Sequence, residues 1–201
     1  MLFRSINNQL LDEFIKKKTK LYIDNRLYLK KMILSNYKKS FEDVNKKIDN
    51  RNVQKFICNI DKNLKIIGIT FTGKVFHIDW ESNFNNDFKL DNKVLGNINP
   101  NEIINFHSLN KEIKNYLCIL NSDGRFKKVL FDEDMIKSNR TFTITKLKNN
   151  IKTIDSFIFN ENKNLIILTS IGRIFKFNLS NKFLAPTTKQ STGLMLAKLL
   201  P

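Results

Sequence analysis

Three stretches of the chain are built on one plan. "KIIGITFTGKVFHID" (65–79), "YLCILNSDGRFKKVLFD" (116–132) and "LIILTSIGRIFKFNL" (165–179) superimpose without gaps on Gly73, Gly124 and Gly172. In each, an apolar strand runs into a Thr/Asn-X-X-Gly turn, a base follows the glycine, and a second strand mixes apolar and basic residues. Glycine suits that place because tight turns between antiparallel strands call for a positive φ, which a Cβ opposes. The turn glycines lie about 51 and 48 residues apart, within the range of periods that marks propellers and arrays. A hairpin cannot hide both its faces alone, so copies at this period must pack on one another. The intervening segments 52–64, 101–116 and 142–162 each lead into a hairpin and read as the further strands of that unit. The expected fold is mainly β and propeller-like, with about three four-stranded blades occupying residues 52–201.

Residues 1–51 read differently. No glycine or proline occurs from Met1 to Asn50, and Leu34, Tyr37, Phe41, Val44 and Ile48 are spaced 3, 4, 3, 4, as on an a/d heptad seam. Leu27 extends the seam upstream, although Lys30 then takes a d position. The segment is expected to be a helical arm, either a coiled coil or a plain amphipathic helix, with Gln9–Lys18 and Lys20–Leu29 forming a preceding helix or helix pair.

Charge narrows the class of partner. Thirty-five Lys and Arg against 19 Asp and Glu give a formal net charge of +16, a field that favours polyanions, nucleic acid before an acidic membrane surface. A chain rich in Lys, Asn, Ile and Phe has the look of AT-rich coding, but that bias does not itself create an excess of bases over acids. Cys58 and Cys118 stand in apolar surroundings without a CxxC pair and read as buried free thiols of a reducing compartment. His77 and His107 are too isolated for a metal constellation, so neither metal nor cofactor is expected. No apolar run approaches the ~18–20 residues of a membrane span, and "MLFRSINNQLLDEF" lacks the marks of a signal peptide. The expected location is cytoplasmic, with the nucleoid, or organellar. Catalytic signatures are missing: no phosphate loop, GxSxG or HExxH occurs, "DED" (132–134) reads as a solvated turn, and Tyr22, Tyr28, Tyr37 and Tyr116 lack the context of a nucleophile.

The bases are better placed. Lys74, Arg125 and Arg173 each follow a turn glycine, Lys127 and Lys128 crowd the same zone, and Lys176 lies between Phe175 and Phe177 on the opposite strand face. Repeated on successive blades, such positions form a basic band for phosphate oxygens, with binding that depends on salt but not on base sequence. The competing reading is a set of solvated strand faces that keep hairpin edges from aggregating.

The stretch "LIILTSIGRIFKFNLSNKFLAPTTKQSTGLMLAKLLP" (165–201) resembles a blade from the C-terminal domain of bacterial DNA gyrase A, through Thr169, Gly172, Arg173, Phe175, Pro186, Lys189, Gly193 and the apolar run 194–199. "LCILNSDGRFKKVLFDEDM" and "FTITKLKNNIKTID" resemble the preceding blade, and "VNKKIDNRNVQKF" is similar to the junction between that family's coiled-coil arm and its first blade. The resemblance spans residues 26–201. It implies a β-pinwheel, a propeller-like disc that bends or wraps duplex DNA around a basic perimeter beside the catalytic core of a type IIA topoisomerase. The candidate DNA-contacting set is Lys74, Arg125, Lys127, Lys128, Arg140, Arg173, Lys176 and Lys189.

Three departures from the family bear on activity. The Gln-Arg-Arg-Gly-Gly-Lys-Gly box of gyrase is replaced by "WESNFNNDFKLDNKVLGNINP", no breakage-reunion region with its catalytic tyrosine is present, and three hairpins stand where the family has five or six blades. The resemblance therefore implies a non-catalytic, DNA-backbone-binding part of an ATP-dependent type II topoisomerase, nearer a topoisomerase IV tail than a full gyrase disc, joined to the catalytic core by its N-terminal helices. The alternative is a degenerate propeller-like scaffold that binds protein and not DNA.

Overall fold

A computed structural model of the chain describes residues 19–24, 26–33, 54–61, 63–81, 87–110, 115–131, 141–159, 164–180, 182–189 and 191–196. Four antiparallel hairpins dominate it: β1 (Thr19–Asp24) with β2 (Tyr28–Ile33), β4 (Leu64–Thr70) with β5 (Lys74–Ile78), β8 (Asn115–Asn121) with β9 (Arg125–Phe131), and β12 (Asn164–Leu168) with β13 (Ile174–Asn178). The last three are the hairpins that the glycines mark.

The first hairpin corrects the expected arm, since Lys20–Leu29 is strand, turn and strand rather than helix. Its turn obeys the same rule as the others. The Leu27 N–H donates to Asp24 O at 3.0 Å, as Gly73, Gly124 and Gly172 donate to the oxygens of Thr70, Asn121 and Thr169, each also at 3.0 Å. Leu27 even shares their left-handed backbone, with φ 60° beside 76°, 79° and 77°. A leucine pays roughly 1–2 kcal/mol for that conformation. Its side chain is buried in the core, and the Asp24 carboxylate accepts the N–H groups of Arg26 and Tyr28 at 2.9 and 3.0 Å, which offsets the strain. The heptad seam from Leu34 to Ile48 lies outside the described residues.

Three of the hairpins grow into four-stranded sheets. β3 (Gln54–Asn59) pairs with β1, β7 (Ile103–Asn110) with β4, and β11 (Thr153–Phe159) with β8. These are the segments expected to lead into the following hairpin; they belong to the preceding one instead. The fourth strand arrives from farther off. β6 (Phe88–Lys89), β10 (Phe142–Thr143) and β14 (Leu194–Met195) pair with β2, β5 and β9, each coming from beyond the next hairpin in the chain. Each blade is thus closed by a strand that has first passed through its neighbour. The sheet orders are β3-β1-β2-β6, β10-β5-β4-β7 and β11-β8-β9-β14, with β12-β13 as a two-stranded fourth. Helix is confined, among the described residues, to α1 (Asn92–Leu95) and a 3-10 turn at Pro100–Glu102.

The blades stack face to face. In each hairpin the cross-strand register sets four side chains on one face: Leu21, Ile23, Leu29 and Lys31; Ile67, Ile69, Val75 and His77; Cys118, Leu120, Phe126 and Lys128; Ile166, Leu168, Ile174 and Lys176. The opposite faces carry Ile66, Phe76 and Ile78 in the second blade, Leu117, Ile119 and Val129 in the third, and Leu165 in the fourth. Three apolar clusters form where one blade's quartet meets the next blade's opposite face. Strands buried on both faces read as continuous apolar runs rather than alternating ones, and LKIIGIT is such a run.

Candidate nucleic-acid interface

The ends of the hairpins collect bases. At the second turn Lys74 is half-buried and its N–H donates to Thr70 Oγ1 at 3.0 Å. The segment after the third hairpin wraps this turn, through Ile144 N–H to Gly73 O at 2.9 Å and Thr153 N–H to Phe71 O at 2.9 Å. That wrap is why Gly73 admits no side chain: a Cβ there would stand 2.7 Å from Thr145 Cγ2. It also brings in Lys146, Lys148 and Lys152, all exposed, with the Lys152 ammonium 5.0 Å from the Phe71 ring. The Lys152 carbonyl accepts the Ser122 N–H at 2.8 Å, so the second and third turns lie side by side.

Arg125, at the third turn, is more constrained. Its Nε lies 3.2 Å from Asp123 Oδ2, and a terminal nitrogen donates to Gly193 O at 3.4 Å. Arg173 at the fourth turn is exposed, its N–H donating to Thr169 Oγ1 at 3.0 Å. The first turn carries Tyr28 where the others carry a base, but Arg26 and Lys30 lie 5.5 and 5.6 Å from its ring and exposed Lys89 pairs beside it. Asp24, beneath them, would be pushed up by burial alone. The N–H of Tyr28, the Lys30 ammonium at 3.3 Å and the N–H of Arg26 prevail and hold it below the usual carboxylate range.

Arg26, Lys89, Lys146, Lys148 and Lys152 were not among the sequence candidates. "TKLKNNIK" (145–152) does show the signal, with three lysines and no acid. Nothing local told that it returns to a turn more than seventy residues upstream.

Two candidates are corrected. Lys127 and Lys128 are fully buried on opposite faces of β9, because the third sheet is covered on both sides. The Lys127 ammonium donates to Lys189 O and Ser191 O at 2.7 and 2.8 Å, and burial lowers its pKa to about 8. The Lys128 ammonium donates to Leu179 O at 2.6 Å and stands 4.7 and 5.3 Å from the rings of Tyr116 and Phe159. Both lysines therefore bind backbone of the chain crossing from the fourth hairpin, and neither presents charge to solvent. Lys176 is exposed, but on the outward face of the fourth hairpin rather than at its turn. Lys189 is half-buried with its ammonium 5.7 Å from the Phe142 ring, and Arg140 lies outside the described residues.

His107 and Ser156 join the third strands of the second and third blades, Nε2 to Oγ at 2.8 Å, and Asn105 Nδ2 donates to Asp155 Oδ1 at 2.8 Å. Burial lowers the His107 pKa to about 4 against the pull of Asp155, so the ring is neutral at pH 7 and serves as a joint between sheets. Burial likewise pushes the Cys58 and Cys118 thiols up to about 12. Among the described residues no His, Cys, Asp and Glu gather as a metal site, and no helix is long and apolar enough to cross a membrane.

Antiparallel blades interlocked by an exchanged strand define the fold as a β-pinwheel. It is the fold of the C-terminal domains of type IIA topoisomerases. The C-terminal domain of DNA topoisomerase IV superimposes at a TM-score of 0.64 with 16% identity, over 89% of this chain and 56% of that one. The DNA gyrase A C-terminal domain gives 0.58 with 14% identity, over 89% and 59%. The E. coli ParC C-terminal domain gives 0.65 with 13% identity, over 91% and 72%. The chain thus spans less than two thirds of the first two. No protein-family profile and no curated protein sequence matches it.

Proposed function

We propose that this chain is a DNA-backbone-binding module that works beside a type IIA topoisomerase core. One observation carries the reading: on a pinwheel fold, the turn ends gather Arg26, Lys74, Lys89, Arg125, Lys146, Lys148, Lys152 and Arg173 in a chain of net charge +16. Most of these bases are exposed, and one-sign clusters on rigid turns suit phosphate oxygens. The catalytic tyrosine and ATP site would lie outside residues 1–201, and these residues would supply an electrostatic track for duplex DNA. A protein-binding scaffold is the second reading, favoured by the exposed apolar face of the fourth hairpin.

The test is titration of the chain against nicked circular duplex at 50 and 200 mM salt, followed by ligation and measurement of linking number. Binding should weaken with salt at about 0.9 logarithmic units per phosphate contacted. Replacing Lys146, Lys148 and Lys152 together by alanine should flatten that slope by up to about 2.7. Binding indifferent to salt, or to this triple replacement, defeats the assignment of the turn ends.

A further inference from the structure

The third turn holds back its own base. Arg125 and Arg173 both stand one residue after a turn glycine, yet their surroundings differ. Arg173 is exposed, and among the described residues no carboxylate pairs with it. Arg125 is gripped from two sides, with Nε 3.2 Å from Asp123 Oδ2 and a terminal nitrogen donating to Gly193 O at 3.4 Å. The carboxylate is fixed in turn, because Asp123 Oδ1 accepts the Arg125 N–H at 3.1 Å. None of the other three turns has an acid at this place. The residue before the left-handed position is Arg26 in the first, Thr72 in the second and Ile171 in the fourth. Gly193 adds a condition. It leads into β14, whose Met195 pairs with Arg125, so the second grip forms when the exchanged strand closes the third sheet.

A guanidinium held this way has its charge taken by a carboxylate, which competes for it with any phosphate. The two side chains are 28% and 20% exposed, sheltered enough to limit screening and open enough for a ligand oxygen to reach them. We propose that Asp123 restrains Arg125 and so sets a threshold for phosphate binding at the third turn, an inference that rests on the DNA-backbone reading above. The exposed Lys146, Lys148 and Lys152 lie beside this turn, through the Ser122 N–H bond to Lys152 O, and among the described residues no acid pairs with them. A phosphate that takes the guanidinium does not expel the acid. The bond from the Arg125 N–H keeps the carboxylate in the turn, where it repels the newcomer. Duplex therefore settles beside the second turn first and recruits the third last.

Asp123→Asn tests this, because the amide oxygen still accepts the Arg125 N–H and keeps the turn. The full chain and its variants are titrated against a short linear duplex between about 50 and 200 mM salt. Asp123→Asn should bind roughly 5-fold tighter near physiological salt, with a salt slope steeper by about 0.9, as one added phosphate contact requires. Glu102→Gln removes the same charge at the second turn, where the carboxylate accepts only the Thr72 hydroxyl and frees no base. It should change binding by less than ~2-fold. The Arg125 Nε–H resonance should exchange slowly with water in the free parent and rapidly in Asp123→Asn. Equal exchange in the two overturns the proposal. So does Asp123→Asn binding no tighter than Glu102→Gln, while parent binding still answers to salt and to replacement of Lys146, Lys148 and Lys152. Parent binding that answers to neither removes the DNA reading, and this inference with it.

Discussion

The second and fourth hairpins share a plan and differ in surroundings. Both run apolar strand, Thr-X-X-Gly turn, base, strand, and both turns close with the same 3.0 Å bond. In the second, β4 is buried almost throughout; in the fourth, exposed and half-buried residues alternate along both strands. The alternation comes from the surroundings, because "LIIL" is as apolar as "KIIGI". One face of the fourth hairpin is covered by the third blade; among the described residues nothing covers the other. Residue type fixes what a blade can bury, and the neighbour decides whether it does.

Paired substitutions test this contrast directly. Ile69→Ala removes packing between the second and third blades and should cost about 2–5 kcal/mol in urea unfolding, while Leu168→Ala at the matching position should stay within about 0.5 kcal/mol. Equal losses would mean that the fourth face is covered. Lys128→Met leaves Leu179 O without its donor and should cost about 1.5–3 kcal/mol, against a negligible change for Lys176→Met. The smallest contrast lies in the turns. Gly172→Ala meets only the backbone cost at φ 77°, about 1 kcal/mol, because nothing stands within 4 Å of the new Cβ. Gly73→Ala adds the clash with Thr145 and should cost about 1 kcal/mol more, read as a lower denaturation midpoint at unchanged m-value.

Glycine was what made the last three hairpins legible in the sequence, and its replacement hid the first. Leu27 occupies the turn position, and a lysine-rich stretch without glycine or proline reads as helix although Leu21, Ile23 and Leu29 already alternate. The bases after the turns were also visible. Burial of Lys127 and Lys128 was not, because adjacent strand residues point to opposite faces and one of them is normally wet; here both faces are covered. The lysines of 145–152 were missed for a related reason: their place beside the second turn depends on a long-range backbone bond rather than on local pattern.

The exchanged strands also set an order of events in time. On a ribosome adding about 5–20 residues per second, the roughly sixty residues between Phe131 and Leu194 take several seconds to emerge. Throughout that interval β9 waits with an open edge, and the third sheet cannot close until the fourth hairpin has been made. The array is knitted, each loop secured by the one after it. Drawn from the carboxyl end, it would lose β14 first and then run back blade by blade toward β1.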